Sequence, residues 1–192
     1  MLPRKPEAQR ERIIVHFGPG FRIPGTPLGM RVRKGETHFS FDTADDVFRS
    51  HGGRPPHENI VLAALGSILV HKPAQAAKLS LPADAVYVCN LSLAETGPGG
   101  YQSILRSAKR LLAKGGAVYA VETKGEGIGS MRRNEFGRTA SRVGFNAEFL
   151  LYRKPGETPT ARETALMSRY AGKITADNFK KSGGYLARLT RT

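Results

Sequence analysis

The sequence predicts an α/β fold: a mostly parallel sheet with helices on both faces. Three observations predict it. Two short apolar runs, Ala85–Cys89 and Ala117–Val121, flank a segment with helical apolar spacing. A second helical segment followed by an apolar run comes later, at 135–152. Upstream, two more short apolar runs end in a glycine turn and in an acid. Strand, helix, strand within about forty residues is a βαβ unit, whose strands run parallel with a right-handed crossover.

Taken in order, Arg12–Phe17 (RIIVHF) reads as a strand that opens on Gly18-Pro19-Gly20. Two prolines and several glycines make the next stretch a turn-rich connection. His38–Phe41 is a second short strand, with Asp42 at its end. Thr43, followed by Asp45 and Asp46, reads as a helix N-cap with acids in the first turn, and that helix stops near Gly52-Gly53. From Pro55-Pro56 to about His71 a second helix is expected, apolar on most sides and so buried. Residues 72–82 read as a connection.

The central helix is the clearest signal. Ile104, Leu105, Ala108, Leu111 and Leu112 fall at i, i+1, i+4, i+7 and i+8, one face of a helix. Arg106, Lys109 and Arg110 take the other face. Gly115-Gly116 follows, where a helix end wants a residue able to adopt positive φ. After the glycine-rich KGEGIGSMRRNE, residues 135–143 form a helix with Phe136, Ala140 and Val143 inward, closed by Gly144. Ala147–Tyr152 is the final strand expected. The rest is polar and basic, with one weak helix at 161–170. The predicted organisation is a disordered basic tail at 1–11, an α/β domain at 12–153 and a basic C-terminal appendage at 154–192.

Composition bounds the partners. The 192 residues suit one domain with a real core. Thirty Lys and Arg against sixteen Asp and Glu give a net charge of +14. The excess is spread over 101–142 and 153–192 alike, so it predicts a broad positive surface and an anionic partner: nucleic acid, RNA in preference to DNA, or another polyanion. A merely basic protein is the plainer alternative. Cys89 is the one cysteine, which excludes an internal disulfide. On an apolar strand it reads as a small buried hydrophobe. No run reaches the length of a membrane span, and MLPRKPEAQRER lacks the apolar core of a secretory signal. A cytoplasmic working place, or export by a non-classical route, is expected. His16, His57 and His71 lack metal-ligand spacing, so no metal is expected.

The order of elements from about Arg12 to Arg153 resembles the class I S-adenosylmethionine-dependent methyltransferases, a Rossmann-like fold. The most specific match is a helix ending Leu111-Leu112-Ala113-Lys114-Gly115-Gly116, a strand, then a helix closing in Gly144-Phe145 before another strand. Val15-His16-Phe17-Gly18-Pro19-Gly20-Phe21 resembles the family's cofactor loop, but it is degenerate. It keeps two glycines, and His16 stands where the family has an acid. The resemblance implies S-adenosylmethionine as cofactor. Gly18 and Gly20 would allow close backbone approach, Asp42 would hold the ribose hydroxyls, and Asn90 and Leu91 would face the methyl-transfer side. No N-P-P-Y or D-P-P-Y run follows the Cys89 strand, so amino methylation of that type is not indicated.

Other candidates are weaker. Glu95 and Glu122 follow strand ends and are the possible bases; each also suits a structural role. Arg106, Lys109, Arg110, Arg132 and Arg133 are the candidate nucleic-acid contacts, against the plainer reading of a solvated face and loop. Gly18-Pro19-Gly20 also reads as a simple turn and Asp42 as a helix cap. Three functions stay open: a methyltransferase acting on an anionic substrate such as RNA, a non-catalytic module that keeps the fold and binds nucleic acid or an acidic partner, and a secreted effector or toxin domain.

Overall fold

The computed structural model describes residues 12–17, 34–42, 60–64, 82–89, 100–123 and 133–192. Seven strands form one sheet: β1 Arg12–Phe17, β2 Glu36–Asp42, β3 Ile60–Ala64, β4 Ala83–Cys89, β5 Leu112–Glu122, β6 Phe145–Arg153 and β7 Gly184–Arg191. Their order is β3-β2-β1-β4-β5-β7-β6. The first five are parallel to one another, and β7 runs antiparallel between β5 and β6. Three helices lie among the described residues: α1 Gly100–Leu111, α2 Arg133–Val143 and α3 Ala161–Ser182.

The βαβ unit forms as its spacing predicts. Tyr101, Leu105 and Ala108 of α1 are buried, and they share one core with Val86 and Val88 of β4 and Val118 and Ala120 of β5. Each fully buried Leu-sized side chain there contributes about 1.5–3 kcal/mol. Helix α1 stops at Leu111: Leu112, expected on its apolar face, already pairs with Ala83. The chain then bulges before Ala117 meets Ala85. That bulge explains the Gly-Gly pair. Gly115 takes φ +81°, and a Cβ on Gly116 would stand 2.9 Å from the Asp84 carbonyl oxygen. Helix α2 buries Phe136, Ala140 and Val143, the three residues its periodicity selects. Gly144 follows with φ +82°.

Two expectations are corrected. Residues 60–64 form strand β3, not part of a buried helix; they pair in parallel with His38–Asp42. An apolar run of this kind satisfies a buried strand as well as a buried helix, and pairing with β2 decides. Residues 154–192 are not an appendage. They supply α3 and β7, and β7 is inserted between β5 and β6. Thr160 and Glu163 make a reciprocal capping box at the start of α3. Arg153 donates to Glu163 from Nε at 3.1 Å and from a terminal nitrogen at 2.8 Å, which ties the end of β6 to that cap. The Arg153 bond, with the Thr160 backbone bond behind it, lowers the Glu163 carboxyl to about 2. Gly183 and Gly184, at φ +68° and +133°, turn the chain into β7; a Cβ on Gly184 would fall 1.9 Å from the Glu122 carbonyl oxygen. The expected tail at 1–11, the helix from Thr43 to Gly52-Gly53, the remainder of the helix expected from Pro55 to about His71, and the connections at 18–33, 72–81 and 124–132 lie outside the described residues.

Candidate functional site

Strand order reverses between β1 and β4: the chain moves outward through β2 and β3 on one side and through β5 on the other. Open parallel sheets bind ligands at such a switch point, outside the carboxyl ends of the strands. The register brings those ends level. Phe17, the last residue of β1, pairs with Phe41 on one side and Val88 on the other. Asp42 and Cys89 are therefore each one residue beyond Phe17, on the two strands that flank it. Two strand spacings separate them, about 10 Å. Gly18 follows Phe17 in the chain, and Asn90-Leu91 follows Cys89; these residues, with Gly20, lie outside the described set. An acid ending β2 beside the end of β1 is the one described feature of this edge whose chemistry suits the ribose of a nucleoside cofactor.

The floor of this edge is closed. Cys89 and Val121 are fully buried, and Glu122 is 2% exposed. Glu122 pairs in register with Tyr185, and its charge acts on Tyr101 as well. Burial raises the Tyr101 phenol far above its ordinary value, and the Glu122 charge pushes the same way. Tyr185 is also raised, first by burial, then by Tyr101 and then by Glu122. Of the two candidate bases, Glu122 is thus buried at the end of β5, and Glu95 lies outside the described residues. His16 is fully buried on β1 and stacks on Tyr87 at 5.2 Å. It is part of the interior, not of the crevice rim.

The basic candidates do not converge. Arg133 begins α2, which follows the carboxyl end of β5; its guanidinium lies 4.9 Å from the ring centres of both Phe149 and Tyr152. Arg132 lies outside the described residues. Arg106, Lys109 and Arg110 sit at the other end of the sheet, where α1 runs into the start of β5. They line a shallow depression of about 340 Å³ with Val143 and Arg191. Two cations there are engaged by the fold. Lys109 donates to the Val143 carbonyl at 2.9 Å, and Arg191 donates to the carbonyls of Lys109 and Leu112. Both answer the negative ends of helices α2 and α1. Arg188 and Tyr119, neighbours across β7 and β5, are not singled out by the sequence pattern. For Arg188 the signal was the apolar run Tyr185–Ala187 and Leu189 after Gly183-Gly184, which marks a strand with Arg188 in its midst.

No family model matches this chain, and no curated protein matches it. Solved structures do. A TehB-like SAM-dependent methyltransferase from Corynebacterium glutamicum superposes with a TM-score of 0.58 at 16% identity, covering 96% of this chain and 83% of that one. The glycopeptide N-methyltransferase MtfA, complexed with S-adenosyl-L-methionine, gives 0.57 at 11% identity over 96% and 89%. A complex of the Haloferax volcanii Trm112 methyltransferase activator with a putative methyltransferase gives 0.55 at 14% identity over 95% and 83%. The chain has a class I methyltransferase-like fold.

Proposed function

We propose that this chain is an S-adenosylmethionine-dependent methyltransferase that acts on an anionic substrate, RNA in preference to DNA. The observation that carries the reading is the level row of strand ends at the switch point, Phe17 flanked by Asp42 and Cys89. The likeness to solved methyltransferases supports it, and so does the net charge of +14.

S-adenosylmethionine supplies a methyl group already activated on a sulfonium centre, so the protein needs little acid–base help and mainly aligns the acceptor. Asp42 is the residue that would accept hydrogen bonds from the ribose hydroxyls. Gly18 and Gly20 would let the backbone approach the cofactor, and Asn90 and Leu91 would flank the transferring methyl. Glu122 is buried at the end of β5, beside Tyr185 in register. That leaves Glu95 as the acid that could take a proton from the acceptor. Calorimetry with S-adenosylmethionine and S-adenosylhomocysteine tests this reading. Saturable binding that Asp42→Ala abolishes is expected; no binding of either compound overturns it.

One observation favours a second reading, a non-catalytic module that keeps the fold and binds nucleic acid or an acidic partner. His16 stands where the family resemblance expects an acid, and it is fully buried against Tyr87. Loss of cofactor binding with salt-dependent RNA binding retained selects that module.

A further inference from the structure

The sheet face beneath α3 is covered at one end and open at the other. Met167, Ala176 and Phe179 of α3 share a buried cluster with Cys89, Val121 and Leu186. Ile14 and Ala85 belong to the same cluster, but on β5 and β7 the cover stops at the next same-face pair, Tyr119 and Arg188. Tyr119 of β5 and Tyr170 of α3 are half-buried, while Arg188, Glu148 and Arg169 are exposed. Arg12 keeps half of its side chain in solvent.

Four rings run from the interior to this opening. His16 stacks on Tyr87 at 5.2 Å and 15°, Tyr87 on Tyr119 at 5.2 Å and 22°, and Tyr119 meets Tyr170 at 4.8 Å and 32°. Arg169 places its guanidinium 5.8 Å from the Tyr170 ring centre. Around the Tyr119 hydroxyl the charges are positive. Burial raises that phenol and Tyr170 adds to the effect, while Arg188, Arg12 and Arg169 pull it back. Arg12 also binds Glu36 at 2.9 Å, and Glu148 pairs in register with Arg188, so the cluster is partly balanced.

Arg188, across the register from Tyr119, and Arg169, over Tyr170, place two exposed guanidiniums beside two rings that stay partly in water. A ligand with both negative charges and flat apolar faces answers both. Unpaired nucleotides have that chemistry: phosphates for the arginines and bases for the rings. The basic group at Arg106, Lys109 and Arg110 offers no exposed ring, since Phe145 beneath Lys109 is buried, and has Lys109 tied to a carbonyl. Tyr119 is three residues before Glu122, about 10 Å from the carboxyl edge.

We propose that Tyr119, Tyr170, Arg169 and Arg188 form a docking surface for single-stranded RNA. The proposal rests on the reading of the chain as acting on RNA, and it names the surface that receives it.

Fluorescence anisotropy with a labelled oligouridylate tests it on the full chain, without S-adenosylmethionine. The probe is about 15 nucleotides long, near the upper site size of single-strand binders. Titrations run from about 50 to about 300 mM KCl, where phosphate contacts are read as a salt slope. The double variant Arg169→Gln/Arg188→Gln should bind about tenfold more weakly, with the log–log slope shallower by about 1.4, or about 0.7 for each phosphate no longer neutralised. Tyr170→Leu should weaken binding about fivefold or more with the slope unchanged, as removal of a stacked base requires. Arg106→Gln/Arg110→Gln should stay within about twofold of the parent, because those side chains touch no phosphate in this proposal. Thermal melting checks that each variant folds. Binding by Tyr170→Leu at parental strength overturns the proposal. So does equal affinity for a duplex RNA, a weakening that follows Arg106 and Arg110 instead, or no binding at the lowest salt. Failure of the methyltransferase reading would appear in the cofactor calorimetry and leave these titrations unchanged.

Discussion

The two faces of the sheet are built differently. The face under α1 and α2 is apolar over most of its width: Ile13, Val15, Phe17, Val86, Val88, Val118, Ala120 and Leu189 form one core with Leu105 and Phe136. The face under α3 carries His16, Tyr87, Tyr119 and Arg188 along one register row. Its apolar cluster is smaller: Ile14, Ala85, Cys89, Val121 and Leu186 pack with Met167, Ala176 and Phe179. The first face holds the fold together; the second gives up apolar contact for aromatic and cationic surface. Packing at native density makes the first intolerant of missing volume, while exposed arginines on the second can change without structural cost.

Truncations on the two faces should separate them. Phe136, fully buried and edge-on to Tyr101 and Phe149, should cost most. Phe136→Ala should lower the unfolding free energy by about 3–5 kcal/mol in chemical denaturation. Met167, fully buried in the smaller cluster, should cost less; about 2 kcal/mol is expected for Met167→Ala, the low end for such truncations. A larger destabilisation at Met167 than at Phe136 would reverse the ranking of the two faces. Thr160→Ala removes the side-chain half of the α3 cap and should cost about 1 kcal/mol. Arg188→Gln, exposed on β7, should leave stability within about 0.5 kcal/mol while RNA binding falls.

Glu163 carries the same contrast into pH dependence. Its carboxyl is lowered to about 2 by Arg153 and Thr160, below its value in an unfolded chain. A lowered carboxylate contributes stability that is complete above the unfolded value and is lost as pH falls through the folded one. The melting-temperature gap between parent and Glu163→Gln should be constant above about pH 4.5 and shrink toward pH 2. A gap that does not change over this window would show that the Arg153–Glu163 pair contributes nothing to anchoring α3.

Much of the fold was legible because its signals are local. The i, i+4, i+7 spacing from Ile104, the inward trio Phe136, Ala140 and Val143, and the run RIIVHF all appear as expected. Asp42 was found at a strand end because it directly follows a short apolar run. The end of the chain was misread although it carries two local signs. Thr160-Ala161-Arg162-Glu163 is a capping box in sequence, and Gly183-Gly184 marks a break before the apolar run Tyr185–Ala187. Its high content of Lys and Arg outweighed them. Likewise, Arg106 and Arg133 look equivalent as basic side chains near helices, yet they lie at opposite ends of the sheet.

Elements whose periodicity and punctuation lie within a dozen residues were already set by the amino-acid order: the parallel βαβ unit, helix α2, the acid closing β2 and the positive charge. Tertiary structure alone decided that Ile60–Ala64 is a strand and that β7 runs antiparallel between β5 and β6. It also decided which of the arginines gather around Tyr119. Those outcomes depend on partners far away in the chain, because hydrogen-bond pairing and side-chain proximity between strands are set by register and leave no trace in local spacing.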